Sequence, residues 1–77
     1  MVQRKIPYEA RMVHIRFEGR SWSVPCSTLD IGDLSTDRDV RRALARYFNV
    51  PERKLAAYVV DRHANGNMTV RPEAVFG

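Results

Sequence analysis

The chain has 77 residues, a formal net charge of +4 and a single cysteine. That length holds one domain with an economical core. One cysteine excludes an internal disulfide framework and a cysteine-based zinc site, and no apolar run approaches the ~20 residues of a membrane helix, so no membrane role is expected. Eleven of the thirteen basic residues are arginine, a side chain suited to bidentate contacts with carboxylate and phosphate. The basic balance fits nucleic-acid binding without requiring it. Nothing near the N-terminus reads as a secretory leader, so a cytoplasmic location is the expectation.

Residues 1–11 lack any apolar period and contain Pro7, so they read as a mobile N-terminal arm, with Met12 as an alternative start. From residue 12 the order begins. Val13, Ile15 and Phe17 alternate with polar neighbours, a half-buried strand. Trp22 and Val24 continue the alternation after Glu18-Gly19-Arg20. A Gly19-Arg20 turn would set Phe17 opposite Trp22. A Glu18-Gly19 turn would set Ile15 opposite Trp22 and Val13 opposite Val24. Both keep the same side chains inward. Pro25 lacks an N–H donor and ends the second strand.

Ser27 to Ser35 reads as a connection that Leu29, Ile31 and Leu34 pin to the core edge. Thr36 is placed to cap a helix, with Asp39 as the acid of a capping box. Asp37 and Asp39 suit the positive end of that helix. Val40, Ala43, Leu44, Tyr47 and Phe48 then form one apolar stripe over Asp37 to Phe48. Asn49 fits the C-terminus and Pro51 prevents continuation. Leu55 to Arg62 and Met68 to Pro72 read as a second hairpin. Its loop is either Ala64-Asn65-Gly66, which pairs Val60 with Val70, or Asn65-Gly66, which pairs Asp61 with Val70. The three-residue loop is preferred, because Tyr58, Val60, Met68 and Val70 then share a face.

The fold class is therefore α+β, a ββαββ order with one mixed sheet on a single helix, spanning residues 12–77. The Met12–Val24 hairpin, the Asp37–Phe48 helix and the Leu55–Pro72 strands resemble the ubiquitin-like β-grasp superfamily in layout. In size the chain is similar to the small bacterial sulfur-carrier and molybdopterin-carrier proteins, which end in an activated diglycine. Here the end is Val75-Phe76-Gly77. Gly77 matches the last position of that motif, and Phe76 stands where the penultimate glycine would be. The resemblance implies the binding-module role common in the superfamily, or a carrier or modifier acting through Gly77.

Four groups of residues invite a chemical reading. Cys26 with His14 or His63 has the composition of a nucleophile and base, but strand parity puts Cys26 inward and His14 outward, so a buried thiol is expected and no enzyme activity. Asp30, Asp33, Asp37 and Asp39 cluster in a connection, yet their spacing matches no calcium loop and turn or cap roles account for them, so neither metal nor cofactor is expected. Arg38, Arg42 and Arg46, with Arg41 beside them, line one helix side. They suit phosphates, or form a solvated face partly neutralised by Asp37–Arg41 pairing. The sheet face away from the helix carries His14, Arg16, Val59, Thr69 and Arg71, a mixed surface suited to protein recognition. Phe17, Trp22 and Tyr58 are assigned inward, which leaves that face short of aromatic side chains on which bases could stack. An outward Tyr58 would favour RNA. The expected function is a small non-enzymatic domain that binds a protein partner through this open face. A basic nucleic-acid-binding module using Arg38, Arg41, Arg42 and Arg46 is the alternative.

Overall fold

The computed structural model describes residues 4–73. Strand β1, Met12–Phe17, and strand β2, Arg20–Pro25, form the first hairpin. Its register pairs Ile15 with Trp22 and Val13 with Val24, so the turn is Glu18-Gly19. Both turn residues have positive φ, 50° and 76°, as the right-handed strand twist demands of a two-residue connection. A short helix α1, Cys26–Leu29, follows Pro25 directly. The main helix α2, Asp37–Phe48, is bounded as its local chemistry requires. The Thr36 hydroxyl accepts from the Asp39 N–H at 3.0 Å, and the Asp39 carboxylate accepts from the Thr36 N–H at 3.0 Å. Asn49 closes the helix in the left-handed conformation.

After a 3-10 turn at Glu52–Leu55, strand β3, Tyr58–Arg62, and strand β4, Met68–Pro72, form the second hairpin. Val60 pairs with Val70 and the His63 N–H donates to the Asn67 carbonyl at 2.9 Å. The loop is therefore Ala64-Asn65-Gly66, with Gly66 at φ 101°. The strand order is β2-β1-β4-β3. β4 runs parallel to β1, with Val13 beside Met68 and Ile15 beside Val70. The result is a four-stranded mixed sheet with one main helix, compatible with a β-grasp layout.

The core lies between the sheet and α2. Val13, Ile15, Val24, Met68 and Val70 of the sheet are buried, with Val40, Leu44 and Ala45 of the helix and Leu55 after it. Phe17 stacks on Phe48 with ring centroids 4.7 Å apart. Tyr58 stays inward, 6.2 Å from Phe17, and burial pushes its hydroxyl pKa up.

Four expectations change. The first strand of the second hairpin begins at Tyr58 and not at Leu55, which closes the preceding 3-10 turn. Leu34 does not reach the core and is 98 % exposed. The Ser35 N–H donates to the Gly32 carbonyl and the Gly32 N–H to the Ser35 hydroxyl, a tight turn that holds Leu34 on its outside. Ser27–Ser35 is not wholly irregular, since it opens within α1. Asp37 does not pair with Arg41. Arg62 of β3 takes it at 3.0 Å, while the Arg41 guanidinium reaches the Tyr58 carbonyl at 3.5 Å.

The segment expected as an arm contacts the body at several points. Lys5 pairs with Asp33 at 2.8 Å, and the Ile6 N–H donates to the Asn65 carbonyl at 2.8 Å. The Tyr8 hydroxyl donates to the Ile31 carbonyl at 2.7 Å. Arg11 lies beneath the second hairpin loop, its Nε donating to the Ile6 carbonyl at 2.9 Å.

Candidate functional site

Side chains alternate across a strand, so the burial of Val13, Ile15 and Phe17 sends His14 and Arg16 to the other face of the sheet. The same parity on β4 and β3 sends Thr69, Arg71, Val59 and Asp61 there. All five residues expected on the open face are therefore together on it. His14, Arg16 and Arg71 are exposed, and Val59 and Thr69 are half-buried.

Polar pairs organise one end of this face. His14 Nδ1 lies 2.9 Å from the Ser23 hydroxyl, and His63 Nε2 lies 2.7 Å from the Thr69 hydroxyl. Arg71 Nε donates to Asp61 Oδ2 at 3.0 Å. The other end differs. Ser21 faces Arg16, and Val59 faces Arg71. One further step of the parallel β1–β4 register sets Arg16 beside Arg71. The row is then Ser21, Arg16, Arg71, Val59. Two guanidinium groups stand on adjacent strands, ~4.8 Å apart at the backbone. Arg71 has Asp61. Among the described residues Arg16 has no carboxylate partner.

The helix arginines do not form one free patch. Arg41 is half-buried and reaches the Tyr58 carbonyl, and Arg42 pairs with Glu52 at 3.4 Å. Arg38 and Arg46 are exposed. Arg38 and Arg41 line a shallow cleft with Arg53 and Glu52, whereas Arg46 lies further along α2 beside Asp30 and Tyr47.

The remaining chemical candidates are placed by ordinary structural roles. Cys26 is 1 % exposed, and burial pushes its thiol pKa up. His14 and His63 are on the open face, bound to Ser23 and Thr69, so neither serves Cys26 as a base. Asp30 ends α1 in the left-handed conformation. Asp33 binds Lys5 and Arg11, Asp37 binds Arg62, and Asp39 caps α2. Among the described residues no group of three metal-ligating side chains is drawn together. Gly77 lies outside the described residues.

Two residues stand out, one that strand alternation and one that helical spacing assigns to the core. Trp22 faces the helix side but is 40 % exposed, and Tyr47 is 49 % exposed. Both meet the Phe48 ring edge-on, at 5.6 and 5.3 Å. Trp22 belongs to an outer strand, and among the described residues no further strand shelters it. Comparison of the chain with protein-family models, curated proteins and solved structures returns no match.

Proposed function

We propose that this chain is a non-enzymatic binding domain that recognises another protein through the open face of its sheet. In this reading Arg16 and Arg71 receive an acidic side chain of the partner, while Val59, His14 and Thr69 supply the surrounding contact. The observation that carries it is the placement of Arg16. Like charges side by side on neighbouring strands repel. Asp61 relieves one of them, and an added carboxylate would satisfy the other in the bidentate geometry that arginine favours. A cytoplasmic location remains part of this reading.

The test compares two variants against the captured partner. The double change Arg16→Ala and Arg71→Ala should weaken capture, by ~2 kcal/mol or more if the pair is central to the interface, with little change in melting temperature. The triple change Arg38→Ala, Arg42→Ala and Arg46→Ala should matter less. The reverse ranking, with binding of oligonucleotides that falls steeply as salt rises, would favour the nucleic-acid reading instead. Equal affinity of the sheet-face variant and the parent removes the proposed site.

A further inference from the structure

The two outer strands of the sheet are finished differently, and the difference points to a partner. In an antiparallel pair, residues alternate between those that exchange both hydrogen bonds and those that turn their N–H and C=O away. The Cys26 N–H donates to the Arg11 carbonyl at 2.9 Å. Counting back along the β1–β2 register from that pair, Val24 and Trp22 bond to β1. Ser23 and Ser21 turn their backbone groups outward.

The same count on the other side starts from the bonds His63 to Asn67 and Glu73 to Ala57. There Tyr58, Val60 and Arg62 turn their backbone groups outward. That edge is attended by arginines. Arg41 reaches the Tyr58 carbonyl, and the Arg62 guanidinium is held across to the Ser35 carbonyl and Asp37, at 2.6 and 3.0 Å. Charged groups at an edge are a usual barrier to strand addition. The β2 edge has none between Arg20 and Pro25. Its middle is Ser21-Trp22-Ser23, all three exposed.

We infer that β2 pairs antiparallel with β2 of a second copy of this chain, about a two-fold axis through Trp22. The occupant is a second copy because the segment is complementary to itself in this register. Ser21 faces Ser23 of the second copy, and the two exchange both backbone bonds. The symmetry repeats that exchange, so all four outward N–H and C=O pairs of the two serine sets are used. Arg20 faces Val24, so no like charges meet along the strands. Trp22 faces Trp22 on the helix side, where it is now 40 % exposed, with Tyr47 near it. The assembly closes at two, because the outer strands of the joined eight-stranded sheet are then the two arginine-attended β3 edges. This inference does not depend on the proposed partner site. It would place two copies of that site on one continuous sheet face.

Sedimentation equilibrium of the whole chain, at concentrations up to about 1 mM, reads the association directly. A species of twice 8.9 kDa is expected. Ser23→Pro removes an outward N–H at a position where an edge strand tolerates proline. Trp22→Lys places two like charges on the axis. Each should weaken association at least about tenfold with an unchanged circular-dichroism spectrum, and Trp22→Lys decides the matter if Ser23→Pro fails to fold. The register is read by cross-linking. Facing residues that share no ladder bonds have Cα atoms ~4.5 Å apart, within disulfide reach. Trp22→Cys should thus oxidise to a covalent dimer, and Arg20→Cys should not. A parent that stays monomeric throughout the range overturns the inference. So does a dimer that neither variant weakens, or one in which Arg20→Cys links as readily as Trp22→Cys.

Discussion

The two hairpins are built to the same strand length class and the same tight-turn logic, but they live in different surroundings. The first turns at Glu18-Gly19 in open solvent. A Cβ built on Gly19 would meet nothing within 4 Å. The second turns at Ala64-Asn65-Gly66 over the Arg11 side chain. A Cβ on Gly66 would lie 2.7 Å from Arg11 Nε and 2.9 Å from its Cδ. The loop is also tied by Ile6 to Asn65 and by Met12 to the Asn67 side chain, at 2.9 Å. One glycine is there for its backbone angle alone. The other is there for its angle and for the closeness of a neighbour. The lesson is that an identical sequence signal, a glycine ending a turn, carries two separable physical demands.

The largest effect separates them most clearly. Gly66→Val should destabilise the fold by about 2 kcal/mol or more, because strain at positive φ and crowding against Arg11 act together. An unchanged denaturation midpoint would show that the loop does not hold the conformation described. Next in size is Gly66→Ala. It should cost more than Gly19→Ala, whose strain at φ 76° is about 1 kcal/mol. A third measurement assigns the excess. In an Arg11→Ala background the cost of Gly66→Ala should shrink by about 0.5 kcal/mol or more, a coupling that a double-mutant cycle reads. Gly19→Ala should be indifferent to Arg11. If both glycines respond alike, the contrast between the hairpins is wrong.

What was legible in the residues was what depends on near neighbours. Thr36 with Asp39 marks the start of α2, and Asn49 with Pro51 marks its end, because capping is settled within a turn of chain. Alternation placed His14, Arg16, Thr69, Arg71 and Val59 on one face, because parity needs only one buried residue per strand. What was not legible depends on distant neighbours. Alternation states which face Trp22 takes but not how far across the sheet it sits, so its exposure could not be read. Helical spacing matches Asp37 with Arg41, whereas Arg62, on a strand 25 residues away, is the residue that binds it. Leu34 looked like a core residue by type alone, and the hydrogen bonds of a four-residue turn decided otherwise. Residues 5–11 have no period at all, and their contacts with Asn65, Ile31 and Asp33 follow from single side chains.

The smallest effect probes the ties of that N-terminal segment to the second hairpin. Asp33 accepts from Lys5 Nζ at 2.8 Å and lies 3.4 Å from Arg11 Nη1. The Lys5 hydrogen bond, aided by the charges of Lys5 and Arg11 and opposed by slight burial, holds its carboxyl below the usual range. A carboxyl depressed in the folded state contributes fully above its unfolded value, ~3.9, and loses that contribution as pH falls through the lower folded value. Acidification from about pH 4 downward should therefore loosen the segment before the sheet. The amide of Ile6, which donates to Asn65, should lose hydrogen-exchange protection relative to the amides of Ile15 and Val24. Asp39 is depressed as well, chiefly by the Thr36 backbone bond, so acid also weakens the start of α2. Asp33→Asn separates the two. It should abolish the pH dependence at Ile6 and leave that of the helix amides in place. Protection at Ile6 that is flat across the acid range in the parent, or equally steep in Asp33→Asn, would mean that Asp33 does not tie the segment down.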